Sequence, residues 1–458
     1  MDIAVDLHAH SMFAGGSGGL KVKDKESLKE SFKQAHTRFI EADKTSKLKG
    51  INILGTGDIQ FTPWLNFIEK NFEEDQGLYR YKNNEDLLYC LQTEIIITAE
   101  VKQKVRKSVH TVILFPNFES VYRFKDFLDT YEVKQENIPR PFLKVENNQA
   151  VSEALQKLQE IDKQIEIIPG HIMTPDGVYG GNNGVNSLYD FFGEFEQKIK
   201  VVETGLSADP EILSLIPELD YRTLLSNADA HSAQLNRIGR EFTVLDMNKK
   251  SYSSMIEALR TKKIAYSLEF PVTEGRYFFT GHRANRKKPG KGHTKDQFCY
   301  FSPDKVPKDN ICPICDATLT KGVLQRAIEI SSTQGGEQRI KNFKEGQTEN
   351  IEQKYLHGVP LVELIANSLN IVSSSAKAVL NNYYKIVEEF KNEVSLWQTD
   401  YEKIEQNFPN QVPKSILEGL KFIKNDNFCF TPPGFDGEYG KLALGKKMTF
   451  FGHSQVKN

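Results

Sequence analysis

The sequence has no apolar run near the ~20 residues that a membrane-crossing helix needs. Its opening, MDIAVDLHAH, lacks the charged-then-apolar layout of a secretory leader and passes straight into a strand pattern. Cysteine is scarce, with five in 458 residues, and two of these form a C-x-x-C pair. That usage fits a reducing compartment and one metal site better than a disulfide framework. An excess of one charge is also missing: the net charge is -2 and the pI about 6.6. This excludes a globally basic nucleic-acid binder, although a local patch can still supply phosphate contacts. There is no internal repeat and no low-complexity tail. The expectation is a cytoplasmic protein with no membrane partner.

Hydrophobic residues make up 39% of the chain, enough for real cores, and its length predicts two or three domains. Residues 1–270 alternate short apolar strands with helical patterns. MDIAVDLH, INILGTGD, LLYCLQTEIII, VHTVILF, QIEIIPGH, IKVVETG and RTLLSNADAH read as strands. ESVYRFKDFLDTY and NQAVSEALQKLQEI read as helices. This alternation predicts an α/β region of parallel strands covered by helices, either a barrel or an open sheet. Residues 271–335 are rich in Lys, Arg, Gly and Pro, hold three of the cysteines, and predict a small module that folds around a metal. Residues 336–458 predict a helical domain, with apolar residues at helical spacing in VPLVELIANSLNI, SAKAVLNNYYKIVEEFKNEV and VPKSILEGLKFIKN.

The strand ends carry the chemistry. His8 and His10 are one residue apart, so on a strand both rings point to one face, with Asp6. GTGD ends in Asp58, TEIIITAE offers Glu94 or Glu100, and VHTVILF begins beside His110. IIPGH ends in His171, VVETG in Glu203, and SNADAH in Asp229 and His231. Five of the ten histidines thus sit at strand ends, with carboxylates at most of the others. Imidazole with carboxylate suits zinc, manganese or iron, and one ion cannot use so many donors. A site of two or three divalent ions is expected, able to polarise a phosphoryl oxygen and generate hydroxide at neutral pH.

DLHAHS near the start and DAHS after the last strand resemble the PHP phosphoesterase family. The resemblance implies a distorted seven-stranded β/α barrel with a trinuclear metal site. It places the ligands on His8, His10, Glu94, His110, His171, Asp229 and His231, with Glu94 preferred to Glu100. Where the family's second motif usually ends in His, this chain has Asp58, and SMFAGGSGG lacks the further His that often follows the first pair. Glu203 is kept as an added ligand. Asp58, Glu94, Asp229 and His231 are assigned the catalytic role, with zinc, manganese, magnesium or iron as the bound ions. Further along, VETGLSADPEI, IGRE, a GHR segment, CPIC, VPLVELIA and PGFDGEYGK follow in order. Together they resemble the endonuclease Q family over nearly the whole length. That resemblance implies a DNA repair endonuclease that cuts 5′ of hypoxanthine, uracil, xanthine or an abasic site in double-stranded DNA.

In the middle segment Cys312 and Cys315 have knuckle spacing, and Cys299 is a third thiolate for one structural zinc. The fourth ligand is a histidine: His293 is close in sequence to Cys299, whereas His282 fits the family pattern better. The stretch after His282 contains Arg283, Arg286, Lys287 and Lys288, either a solvated face or a contact to the DNA backbone. Arg237 and Arg240 follow the last metal motif and either bind the scissile phosphate or pair with a carboxylate such as Glu241. His36, His357 and His453 are assigned to surface or packing. Trp64 and Trp397 are read as core residues rather than base-stacking ones. A sliding clamp is a candidate partner. The alternatives are a small-molecule phosphatase of the same barrel, such as a histidinol-phosphate phosphatase, a related nuclease with different substrate choice, and a binding protein with a vestigial site.

Overall fold

The computed structural model describes residues 1–14, 25–82, 86–135, 139–181, 183–287, 292–347 and 352–457, and the side chains of 25–36, His36 among them, lie outside it. The fold is mixed α/β. Strands β1 (Asp2–Asp6), β2 (Ile53–Gly55), β3 (Phe72–Asp75), β4 (Leu78–Tyr81), β5 (Leu88–Lys102), β6 (Val105–Phe115), β7 (Phe142–Asn147) and β8 (Glu166–Pro169) belong to one large sheet. A parallel pair follows, β9 (Val201–Glu203) and β10 (Thr223–Leu225), and then β11 (Phe242–Asp246) and β12 (Ile264–Glu269) return to the large sheet.

Its centre is parallel, β1 to β2 to β5, where helices intervene in sequence. β5 also pairs parallel with β7, but between β5 and β6 the expectation of parallel strands fails for a simple reason. Only Gln103 and Lys104 separate β5 from β6, with Lys104 at φ 59°, and so short a link closes an antiparallel hairpin. β6 also runs antiparallel to β8, and β1 to β11. One consequence bears on the site. Ile96 faces His110 across the hairpin, so His110 stands inside a strand rather than at its start.

The expected helices form at Phe118–Thr130 and Asn148–Ile161, each with an asparagine at its N-terminus. The side chain of Asn117 accepts from Ser120 N and that of Asn147 from Ala150 N, satisfying amides that the helix leaves unpaired. Their buried faces, Val121, Phe124 and Leu128 on one and Val151, Leu155 and Leu158 on the other, cover the sheet.

The later segments interlock with the first. β13 (Thr280–His282) and β14 (Phe298–Phe301) form a small antiparallel sheet. Beyond the helices a short hairpin pairs β16 (Phe428–Phe430) with β17 (Leu442–Leu444), and the small sheet's outer strand, β18 (Ser454–Lys457), follows it. The apolar cluster of this module is five buried residues, three of them cysteines, too little to hold it without a metal. Helices at Leu361–Ser368, Lys377–Phe390, Glu393–Gln398, Tyr401–Asn407 and Lys414–Lys424 pack as the helical region, and β15 (Tyr355–His357) leaves it to pair with β12. Trp64 and Trp397 are each 2% exposed, so both are core. Among the described residues no helix is long and apolar enough to cross a membrane.

Two charged side chains, Lys49 and His357, fasten the helical region through ion pairs. Lys49 Nζ lies 2.8 Å from Glu393 and also donates to the Leu235 carbonyl at 3.1 Å. His357 on β15 bridges Asp209 at 3.1 Å and Asp426 at 3.3 Å. Burial lowers the pKa of His357, but those two carboxylates outweigh it and raise it to about 10. A raised histidine stabilises the fold fully below its ordinary value of 6.5 and loses that contribution as pH rises through about 10. His357→Gln is therefore expected to cost roughly 2–4 kcal/mol near neutral pH. Urea unfolding across this pH range should show wild type converging on the variant at the alkaline end.

Candidate metal centre

Strand ends and tight turns aim the site. Leu7 N donates to Asn227 Oδ1 at 2.6 Å and His10 N to the Ala230 carbonyl at 3.0 Å, so the segment after β1 is held against the segment after β10. Asp58, His171 and Asp229 all have positive φ, at 45°, 26° and 46°. Three such non-glycine residues in one cluster are backbone strain held by their surroundings, a pattern that concentrates at functional sites.

Three groups of donors converge and overlap. His8, His10 and Glu94 form one, His10, Asp229 and His231 a second, and Glu94, His110 and His171 a third. Glu94 Oε1 lies 2.5 Å from His110 Nδ1, 3.5 Å from His171 Nε2 and 3.7 Å from His8 Nε2. Its Oε2 lies 3.5 Å from His10 Nε2. Asp229 Oδ1 lies 3.1 Å from His10 Nε2, 3.5 Å from His8 Nε2 and 3.4 Å from His231 Nδ1. Several of these buried atoms, His8 Nε2, His10 Nε2, Glu94 Oε1, His110 Nδ1 and Asp229 Oδ1, have no aligned hydrogen-bond partner. Buried polar atoms are rarely left so. Here they face one another across a shared space, and imidazole with carboxylate is the donor chemistry of divalent transition metals. The residues fit such ions.

Electrostatics agree. Burial pushes the Glu94 carboxyl up, but close contact with His110 and His171 and the charges of His10 and His8 hold it well below its usual range. Asp229 is held low against burial by His8 and His10. Burial pulls His8 down, yet the charges of Glu203 and Asp229 raise it to about 9. The negative field that keeps protons on these rings equally attracts divalent cations.

Two expected ligands stand elsewhere. Glu203 sits behind His8, with Oε1 2.9 Å from His8 Nδ1 and 2.9 Å from Asn227 Nδ2, while Oε2 accepts from His171 N at 2.8 Å. Both oxygens are occupied, so Glu203 orients a ring instead of facing the donor groups. Asp58 is placed in the same way behind His10. Its Oδ2 accepts from Ser11 N at 2.8 Å and Ser11 Oγ at 2.6 Å, and its Oδ1 lies 3.5 Å from His10 Nδ1. Asp6 accepts from Ala228 N and Gly239 N and braces the loop between them. Glu100 accepts from Lys104 N in the exposed hairpin turn, which leaves Glu94 in the cluster.

The sequence reading missed four residues. Arg140 Nη1 donates to Glu94 Oε2 at 2.8 Å. Thr174 Oγ1 lies 2.6 Å from His171 Nδ1. Asn227 and Ser11 hold the carboxylates behind the rings. Thr174, Asn227 and Ser11 are sequence neighbours of the ligands and so could have been suspected. Nothing in the spacing marks Arg140.

A cavity of about 540 Å³ adjoins His10 and His231. Trp64 and Tyr89 line it from the first segment, Leu380 and Tyr384 from the helical region.

In the small module, His282, His293, Cys312 and Cys315 converge. His282 Nε2 donates to the Thr318 carbonyl at 2.8 Å, which leaves Nδ1 facing Cys315 Sγ at 3.4 Å. His293 Nδ1 donates to the Gln297 carbonyl at 3.0 Å, which leaves Nε2 facing Cys312 Sγ at 3.3 Å. Cys299 Sγ lies 3.6 Å from Cys312 Sγ. The structure thus brings in both candidate histidines, each with its second nitrogen anchored as in zinc ligands.

The basic residues divide. Arg240 is 7% exposed, its guanidinium 5.5 Å from the Phe270 ring centre, and it makes no ion pair among the described residues. Burial removes it from any DNA-facing surface, and the pairing with Glu241 is not formed. Arg237 is half-buried. Arg286 lies against Asp436 at 3.6 Å, 16% exposed, which ties it to the module's own fold. Arg283 and Lys287 are exposed, and Lys288 lies outside the described residues.

No family model matches the chain. An uncharacterized protein of Methanocaldococcus jannaschii is 27% identical over 266 residues, 57% of this chain and 30% of that protein. An uncharacterized protein of Bacillus subtilis is 25% identical over 297 residues, 63% of this chain and 68% of that protein. The chain thus matches less than a third of the archaeal relative. Two solved structures share its fold almost end to end. One is the lesion-specific endonuclease PfuEndoQ from Pyrococcus furiosus, with TM-score 0.74 and 24% identity over 97% of this chain and 96% of that one. The other is Endonuclease Q in complex with a 27-mer duplex substrate with an abasic lesion at the active site, with TM-score 0.72 and 24% identity over 97% of each chain. The chain has the endonuclease Q fold.

Gly205 offers a direct test of the packing that aims His171. It has φ +66°, and an added Cβ would lie 2.4 Å from His171 Cβ. Gly205→Ala is expected to destabilise the protein by about 2 kcal/mol or more in urea unfolding.

Proposed function

We propose that the chain is a metal-dependent DNA repair endonuclease that hydrolyses the phosphodiester 5′ of a deaminated base or an abasic site. The observation that carries this reading is the set of three overlapping donor groups sharing Glu94 and His10. The likeness to two endonuclease Q structures over 97% of the chain supports it. We read β1, β2, β5, β6, β8, β9 and β10, whose ends or interiors supply the cluster and the carboxylates behind it, as a distorted seven-stranded barrel. In this reading 1–270 is the catalytic domain, 271–335 a zinc module and 336–458 a helical domain.

His8, His10, Glu94, His110, His171, Asp229 and His231 would hold two or three ions. Bound divalent ions supply Lewis-acid chemistry, polarising the phosphoryl group and lowering the pKa of an attacking water. Glu203 keeps the outer nitrogen of His8 hydrogen-bonded, and Asp58 stands 3.5 Å behind that of His10, so that each Nε2 faces inward. Asp229 and His231, about a third exposed, form the side open to substrate. Water adds to phosphorus, the bond from phosphorus to the 3′ oxygen breaks, and a 3′-hydroxyl and a 5′-phosphate result. Reaching a damaged base requires taking it out of the stack, which is easiest for a mispaired or missing base. The cavity beside His10 and His231, walled by the helical region, would receive that base. In the small module, His282 and His293 with Cys312, Cys315 and nearby Cys299 offer more donors than one tetrahedral zinc takes. Exposed Arg283 and Lys287 are the remaining candidates for backbone contact.

The test uses end-labelled duplexes carrying one hypoxanthine, uracil, abasic site or normal base, with Mg²⁺ or Mn²⁺. A nick directly 5′ of the lesion, absent from the normal duplex, is expected. No cut in any duplex, with rapid release of phosphate from a small phosphomonoester, would instead make this a small-molecule phosphatase. Asp229→Asn should lower nicking by at least about 10²-fold while leaving urea unfolding near wild type. Cys312→Ser should lower stability and bound zinc, and weaken duplex binding more than it slows the chemical step.

A further inference from the structure

Arg140 has no role in the reading above, yet it touches the centre of the cluster. Its Nη1 lies 2.8 Å from Glu94 Oε2, and among the described residues it is the one Lys or Arg that pairs with a carboxylate of the cluster. An arginine repels divalent cations, and here the one carboxylate between Arg140 and the donor groups is Glu94, which bound ions would also claim. Its setting is also rigid. Pro139 and Pro141 flank it, and the proline after it confines Arg140 to extended backbone. The Pro139 carbonyl accepts from Gln60 Nε2, and the Pro141 carbonyl accepts from Ile96 N at 2.9 Å. The guanidinium has five N–H donors, and the contact to Glu94 is its hydrogen bond among the described residues. The side chain is 26% exposed, so part of it reaches solvent beside the buried Glu94.

The geometry points to Arg140 as the residue that grips a non-bridging oxygen of the scissile phosphate. Ions claiming Glu94 would weaken its hold on the guanidinium and turn the fork toward an incoming phosphate. A planar fork suits two phosphate oxygens better than a lysine ammonium does. This assignment rests on the nuclease reading, and the experiment separates the two.

The probe is a nicked duplex with an abasic residue on the 3′ side of the nick, its 5′ terminus bearing either a phosphate or a hydroxyl. Neither form can be cut again at that linkage. Affinities are read by fluorescence anisotropy with Mn²⁺, and bound metal is measured in parallel. Wild type is expected to prefer the phosphate form on the order of tenfold. Arg140→Gln should lose that preference at unchanged metal content, and Arg140→Lys should keep part of it. A preference intact in Arg140→Gln would overturn the assignment, and if bound metal fell at the same time Arg140 would be a support for Glu94. Wild type that nicks lesion duplexes but ignores the 5′-phosphate overturns the assignment and leaves the nuclease reading standing. Wild type that does neither overturns both.

Discussion

The site depends on the burial of one carboxylate. Glu94 is 1% exposed and stands among four imidazoles and a guanidinium that come from several separate strands and loops. A buried carboxylate needs nearby positive charge or it takes up a proton. Here Arg140 supplies such charge directly, and bound cations could supply more. Folding of the sheet and loading of the site are therefore linked. Each strand must reach its register before the donors meet, and each bound ion in turn favours that register.

Around this centre the structure is layered. The inner rings face one another, and behind two of them stand Glu203 and Asp58, themselves fixed by Asn227, by the His171 amide and by Ser11. A further layer of buried carboxyl groups, Asp6, Glu241 and Glu269, braces loops through backbone amides and serine hydroxyls. Burial raises Asp6 and Glu269 to about 7. An inner layer that stays charged over an outer one able to go neutral lowers the total charge that the interior must carry.

Much of this was readable because the chemistry falls on strand ends, where an i, i+2 pair such as His8 and His10 must share a face. The helices at 118–130 and 148–161 were readable for the same kind of reason, a clear period and an asparagine cap. Other features were not readable. A carboxylate inside the donor cluster and one that stands behind a ring look alike in sequence, so Glu203 and Asp58 could not be told from Glu94. Arg140 is brought to Glu94 by the pairing of β5 with β7 and the turn before it, a tertiary fact with no local signal. The strand directions were misjudged because strand–helix alternation elsewhere in the region suggested parallel order, whereas the charged link KQKVRK at 102–107 is too short for a crossover and closes an antiparallel hairpin. The choice between His282 and His293 rested on the idea of one missing ligand, whereas the folded module brings both rings to the sulfurs.

The position of β18 has a consequence for the growing chain. This strand completes the sheet that carries His282 and Cys299, yet every helix of the helical region is made before it. During synthesis the free edge of β14 must wait, paired only with β13, while the large sheet and the helices are already able to pack. The small module is thus closed only after them. A nascent chain stalled short of the 454–457 segment would display an open strand edge beside the module's cysteines, a combination that protein quality control could detect.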